Sequence, residues 1–255
     1  MSKTPESGGR SPMRGPRYGL ARVLSKRGYC SRSEAERLIV AGRVRVDGRL
    51  VRDPEAPTDP VRALIRVDDA AAPVAAASGV YLALNKPRGL VTTARDERGR
   101  DTVFRCLEGA GLPYVAPVGR LDQASEGLLL FTNDPGWAAG ITSPESALLK
   151  TYRVQVDAPI EAARAAAIAE GVRDGDTFLG VHALRILRAN PRTTWLEIEL
   201  DEGRNRHIRR LLGAHGLGVL RLIRVAIGPL ELGALPKGAW RPLAPGEVAA
   251  LRVRA

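Results

Sequence analysis

Apolar residues first fall into register at Leu20, Val23 and Leu24, a helical spacing, and Gly28 supplies a stop. Ser31 opens a second predicted helix. Glu34 completes a capping box with it, Ala35, Leu38 and Ile39 form the apolar stripe, and Gly42 ends the run. Val44 to Val46 and Arg49 to Val51 then flank Asp47-Gly48, a dipeptide suited to a two-residue hairpin turn. Residues 70–78 are almost all alanine with Pro73, the composition of a linker. Beyond it, strand-like runs cover Val80 to Leu84, Gly127 to Thr132, Tyr152 to Val156, Val181 to Leu187, Thr194 to Leu200 and Leu220 to Val225. Helical stretches fall at Gly136 to Ile141, Ile160 to Ala169 and Arg206 to Leu212. Strands adjoin one another too often for a βαβ alternation, so the pattern predicts an α+β fold on a mainly antiparallel sheet. The organisation expected is a tail at 1–16, a small α/β unit at 17–69, a linker at 70–78 and a larger α+β unit at 79–255.

Charge narrows the function classes. The chain has 255 residues, with 39 Lys and Arg against 28 Asp and Glu, a net charge of +11 and a pI near 10.4. Such a molecule attracts polyanions. Arg22, Lys26, Arg27, Arg32, Arg37, Arg43, Arg45, Arg49 and Arg52 crowd the small unit, too many in one place for an ordinary solvated face. No apolar run approaches the roughly twenty residues that cross a bilayer, and none resembles a signal peptide. Two cysteines, Cys30 and Cys106, are too few for a disulfide framework or a zinc site, and His182, His207 and His215 lack ligand spacing. A cytoplasmic setting follows. The phosphate loop, the dinucleotide fingerprint and the nucleophile elbow are all absent from the sequence, which argues against ATP, NAD and esterase chemistry.

Three polar clusters set against apolar strands remain. The first, Gly119-Arg120-Leu121-Asp122-Gln123-Ala124-Ser125-Glu126-Gly127, places an acid in a loop at the mouth of a buried strand, although local sequence by itself favours Asp122 as an ordinary loop or capping acid. The second is Lys150-Thr151-Tyr152-Arg153-Val154, where alternation puts Lys150, Tyr152 and Val154 on one face. The third is Glu202-Gly203-Arg204-Asn205-Arg206-His207-Ile208-Arg209-Arg210, in which a helix would array Arg206, Arg209 and Arg210 opposite Ile208, Leu211 and Leu212.

Together these clusters, with Leu84-Asn85-Lys86-Pro87-Arg88-Gly89 ahead of them and Leu220-Arg221-Leu222-Ile223-Arg224 behind, resemble the bacterial ribosomal RNA pseudouridine synthases over residues 79–243. Gly28-Tyr29-Cys30-Ser31-Arg32 and Ala41-Gly42-Arg43-Val44-Arg45-Val46-Asp47-Gly48 resemble the S4-like RNA-binding domain that usually precedes that catalytic domain. Two positions depart from the pattern: Pro135 where glycine is common and His207 where glutamine is common. The resemblance implies that Asp122 labilises the glycosidic bond of a uridine, by adding to the ribose or through a glycal. It further implies Arg209 as its cationic partner, with Arg204 and Arg206 as alternatives, and Tyr152 as the residue packing on the uracil. Arg120 is the candidate to fill the stack when the base flips out. Lys26, Arg27, Arg32, Arg43, Arg45, Lys150, Arg204, Arg206, Arg210, Arg221 and Arg224 are the expected RNA contacts. Ribosomal RNA or a pre-ribosomal particle is the implied partner, with the large subunit favoured, no cofactor, no membrane and a monomer sufficing. The competing reading is a non-catalytic ribosomal RNA-binding or assembly factor, which would have no need of the acid, tyrosine and arginine trio.

Overall fold

The computed structural model describes residues 17–68, 74–75 and 78–252. The expected tail lies outside them, as does the expected linker apart from Val74, Ala75 and Ser78. The chain divides into two compact units, Met1–Ala77 and Ser78–Ala255.

In the first unit, α1 (Leu20–Lys26) and α2 (Arg32–Val40) pack Leu20, Val23, Leu24, Leu38 and Ile39 into one buried cluster. Ser31 caps α2 by accepting the Glu34 amide at 3.1 Å, while the Glu34 carboxylate turns to Arg37, so only half of the expected capping box forms. Both helices stop through the same device. Gly28 and Gly42 adopt positive φ, and the amides of Gly28 and Tyr29, like those of Gly42 and Arg43, bond back to the last turn. Strands β1 (Val44–Val46) and β2 (Arg49–Val51) form the expected hairpin, with positive φ at both Asp47 and Gly48. A third strand, β3 (Ile65–Val67), pairs with β1 and buries Ile65 and Val67.

Arg27 corrects the sequence reading. Its guanidinium is 7% exposed and donates to the carbonyls of Pro60, Val61, Ala63 and Val74 at 2.8–3.4 Å. It fastens the loop before β3 instead of facing RNA. A buried cation is tolerable there because each donor finds a carbonyl.

The second unit is built on one nine-stranded sheet. Its strands are β4 (Tyr81–Lys86), β5 (Ala116–Val118), β6 (Glu126–Thr132), β7 (Lys150–Val156), β8 (Ala183–Ala189), β9 (Thr194–Leu200), β10 (Val219–Ile227), β11 (Trp240–Pro242) and the short Leu230–Glu231. The order is β8-β9-β7-β10-β6-β4-β11, with β5 on β6 and Leu230–Glu231 on β10. Every pairing in it is antiparallel except β10 with β6. Helices α3 (Pro135–Thr142) and α6 (Pro245–Ala250) cover Leu128 and Leu130 of β6, while Leu129 and Phe131 face a second layer containing Val103, Val115 and Leu121. With both faces covered, β6 is buried throughout. Helices α4 (Ala162–Ala169) and α5 (His207–Ala214) cover one face of the β7-β9-β10 half with Ile168, Ile208, Leu211 and Leu212. Asp134 caps α3 and Pro135 occupies its first turn, where a missing amide costs nothing, which accounts for the proline departure.

The sheet forks at β6. One edge of that strand is taken by β4. The other is shared: β5 pairs with Leu130 to Thr132, and β10 reaches only Glu126 and Gly127. Between them, Arg224 Nε donates to the Leu128 carbonyl at 2.8 Å. Gly127 is required where the strands diverge, because its φ is +102° and a Cβ there would meet the Arg224 backbone. Among the described residues no helix is long and apolar enough to cross a membrane.

Candidate active site

A cavity of 320 Å³, within the usual range of ligand pockets, opens in the fork between β5 and β10. Asp122 enters it from the loop that follows β5. The backbone of this loop is tied down carbonyl by carbonyl. Thr92 Oγ1 donates to Leu121 O at 2.7 Å, the Gly89 amide to Gln123 O at 2.8 Å, and Arg209 Nη2 to Ala124 O at 3.3 Å. Lys86 Nζ, with no solvent exposure, donates to Asp122 O at 3.1 Å and Ser125 O at 2.8 Å, and to Pro87 O at 3.1 Å. Burial lowers its pKa to about 8, against which Asp122, Cys106 and Glu126 work by charge. With the carbonyls of Leu121 to Ser125 all engaged, the Asp122 carboxylate is left facing the cavity.

The guanidinium standing nearest the Asp122 carboxylate belongs to Arg206, one of the alternatives to Arg209. Arg206 Nη1 stands 3.9 Å from Asp122 Oδ2. Arg209 donates instead to the carbonyls of Ala124 and Val219, so it positions the loop and the start of β10, and its charge reaches Asp122 only through space. The reason is local. Helix α5 begins at His207, and Arg206 precedes it in a left-handed conformation at φ +51°, which turns its side chain away from the helix face assumed in the sequence reading. The Asp122 side chain is 33% exposed, open to the cavity and not sealed in the core.

Tyr152 and Lys150 line the cavity from β7, as alternation predicts. Arg204 stands at the rim, held by Glu202 at 2.6 Å, and exposed Arg120 lies beside it. Arg224 lines the cavity but is 6% exposed, so it is part of the interior and makes no surface phosphate contact. Arg221 is likewise diverted, gripping buried Glu126 with both nitrogens at 3.0 and 3.1 Å. Arg210 faces Asp174 at 2.6 Å and does not line the cavity. In the first unit, Arg43 makes a two-pronged pair with Asp68 at 2.6 Å, Arg32 bridges Glu36 and Glu55, Lys26 lies 4.3 Å over the Tyr18 ring, and Arg45 is exposed. Counting arginines overlooked these acids. Sequence reasoning also missed Lys86 and Thr92 as loop anchors; a lysine closing the apolar run Tyr81 to Asn85 was the available signal for the first.

One carboxylate, one aromatic ring and several guanidiniums around a small cavity, in a basic chain carrying a second basic unit, define an RNA-acting enzyme. The family described as RNA pseudouridylate synthase matches residues 80–214, and the S4 domain matches residues 19–59. A protein of Mycobacterium tuberculosis (strain ATCC 25618 / H37Rv) named an uncharacterized RNA pseudouridine synthase is 40% identical over 236 residues, covering 91% of this chain and 92% of that protein. A likewise named protein of Aquifex aeolicus (strain VF5) is 39% identical over 234 residues, with the same coverage. A crystal structure of a pseudouridylate synthase superposes with a TM-score of 0.62 and 28% identity over 92% of this chain and 99% of that one. The chain belongs to the RNA pseudouridine synthase family and carries an S4 domain at its N-terminal end.

Proposed function

We propose that this enzyme converts a uridine of ribosomal RNA, with the large-subunit RNA favoured, to pseudouridine through Asp122. The observation that carries the reading is a carboxylate facing a cavity from a loop whose carbonyls from Leu121 to Ser125 each accept a hydrogen bond. Such rigidity holds a reacting group in place before substrate arrives. The glycosidic N1–C1′ bond breaks, the base turns over, C5 bonds to C1′, and the proton on C5 leaves while N1 regains one. Uracil is both leaving group and returning nucleophile, so the isomerisation balances without a cofactor. Asp122 serves as the group that adds to C1′ or removes the C2′ proton. Arg206 places its positive charge beside that carboxylate, Tyr152 stacks on the uracil, and Arg120 fills the gap left by the flipped base. The S4 domain and the rim arginine Arg204 supply phosphate contacts, and a monomer in the cytoplasm suffices.

Incubation with unmodified ribosomal RNA should create a carbodiimide-reactive pseudouridine, and Asp122→Asn should abolish it while RNA binding persists. Modification by Asp122→Asn at the wild-type rate would overturn the role given to this residue. Mapping pseudouridines in ribosomal RNA from cells lacking the protein identifies the subunit; an unchanged map would sink the ribosomal assignment.

A further inference from the structure

Two cations in the cavity have no part in holding Asp122. Arg224 lies directly across from Tyr152 in the β10–β7 register, and Lys150 lies two residues before Tyr152 on the same face of β7. Arg224 is 6% exposed, uses Nε on the Leu128 carbonyl, and leaves Nη2 buried without a partner. Lys150 Nζ makes one long bond, to Asp201 O at 3.4 Å. Among the described residues neither forms a salt bridge. The two are close enough that the Arg224 charge, after burial, depresses the Lys150 pKa. An unpaired buried donor in a cavity is costly unless a ligand completes it.

We propose that Arg224 and Lys150 are specificity-determining residues that donate to the two carbonyl oxygens of the flipped uracil beside the Tyr152 ring. The inference rests on the reading of this cavity as the uridine site. Uracil presents O2 and O4 on either side of N3. The reaction turns the ring about the axis through N3 and C6, which exchanges N1 with C5 and O2 with O4. Two donors aimed at those oxygens are therefore satisfied before and after the turn, and the base is gripped without being locked in one orientation. Cytosine offers an amino group in place of O4, and that group meets a cation that cannot accept its hydrogen. A backbone phosphate is the poorer candidate ligand, because Arg224 lies on the buried floor of the cavity while a flipped nucleotide enters base first.

The test pairs side-chain removal with atom removal in the RNA. Ribosomal RNA transcripts carrying uridine, 2-thiouridine or 4-thiouridine are treated with saturating full-length enzyme in single turnover, and isomers are separated by chromatography of the digested nucleosides. Sulfur is the weaker acceptor, so the wild type should slow about tenfold or more on either thio transcript. Arg224→Met should lose about 10- to 100-fold on uridine and respond less than twofold to sulfur at one of the two positions while keeping the response at the other. Lys150→Met, at a more exposed site that does not support β6, should lose the response at the opposite position. Wild-type rates in these variants, or an undiminished thio effect at both positions in them, would overturn the proposal. Asp122→Asn separates the two levels: if it is active the cavity is not the uridine site, whereas if it is inactive and Arg224→Met and Lys150→Met keep the wild-type thio effect, only the carbonyl grip is wrong.

Discussion

Lys86 and Asp122 are joined through the backbone: the lysine ammonium, sealed from solvent, sits 3.1 Å from the Asp122 carbonyl oxygen, and the aspartate carboxylate is left to face the cavity. Lys86→Met removes the donor to Asp122, Ser125 and Pro87 together. The Asp122 carbonyl keeps the Ser125 amide at 3.0 Å, while the carbonyls of Pro87 and Ser125 lose their donor at about 1–3 kcal/mol each, so urea unfolding should show a loss of about 2–6 kcal/mol, with kcat falling and RNA affinity holding.

The same lysine gives a pH signature. Its folded-state pKa is about 8, against 10.5 when free, so between those values the unfolded chain binds more protons. Stability contributed by this group therefore rises with pH through that window, by up to about 1.4 kcal/mol per pH unit, and is flat below it. Chemical denaturation of wild type and Lys86→Met across that range should show the wild type gaining relative to the variant.

Arg206 and Arg209 are expected to separate function from support. Arg206→Gly places the residue best suited to a left-handed conformation at φ +51°, so stability should be kept or gain up to about 1 kcal/mol while kcat falls. Arg209→Ala strands the carbonyls of Ala124 and Val219, and should lower the melting temperature as well as activity. Calorimetry and single-turnover rates on the two variants make the comparison.

The S4 unit offers the parallel contrast. Arg27→Met strands four carbonyls and should unfold this unit, seen as a lost melting transition. Arg45→Ala, at an exposed site, should leave melting unchanged and reduce the salt dependence of RNA affinity by about one phosphate contact.

Gly127→Ala should cost more than about 2 kcal/mol, since it adds a Cβ against the Arg224 backbone at a φ of +102°. Denaturant melts check this directly.

Local chemistry was legible where a residue acts on its own neighbours. The Asp47-Gly48 hairpin, the Gly28 and Gly42 stops and the Ser31 cap all appear, because each depends on residues within one turn of chain. The grouping of Asp122 with Tyr152 and the arginines of 204–209 came from the family resemblance, since each motif alone reads as ordinary structure. What escaped is decided by distant partners. Arg27, Arg221 and Arg224 read as RNA contacts until their acceptors, up to 96 residues away, come into view. The backbone carbonyls that Arg209 takes, on Val219 and Ala124, leave no trace in a helical periodicity. Strand β3 escaped because its pairing to β1 spans some twenty residues of loop.

The two-residue parallel seam, Ile223 with Glu126 and Arg224 with Gly127, leaves Asp122 on one half of the sheet and Tyr152 and Arg206 on the other. The gap across the cleft is thus set by the twist between two halves of one sheet, with no lid required. Ile227 of β10 packs in the same core as Leu128 and Leu130 of β6, so the cleft keeps its width only as long as that shared core stays folded.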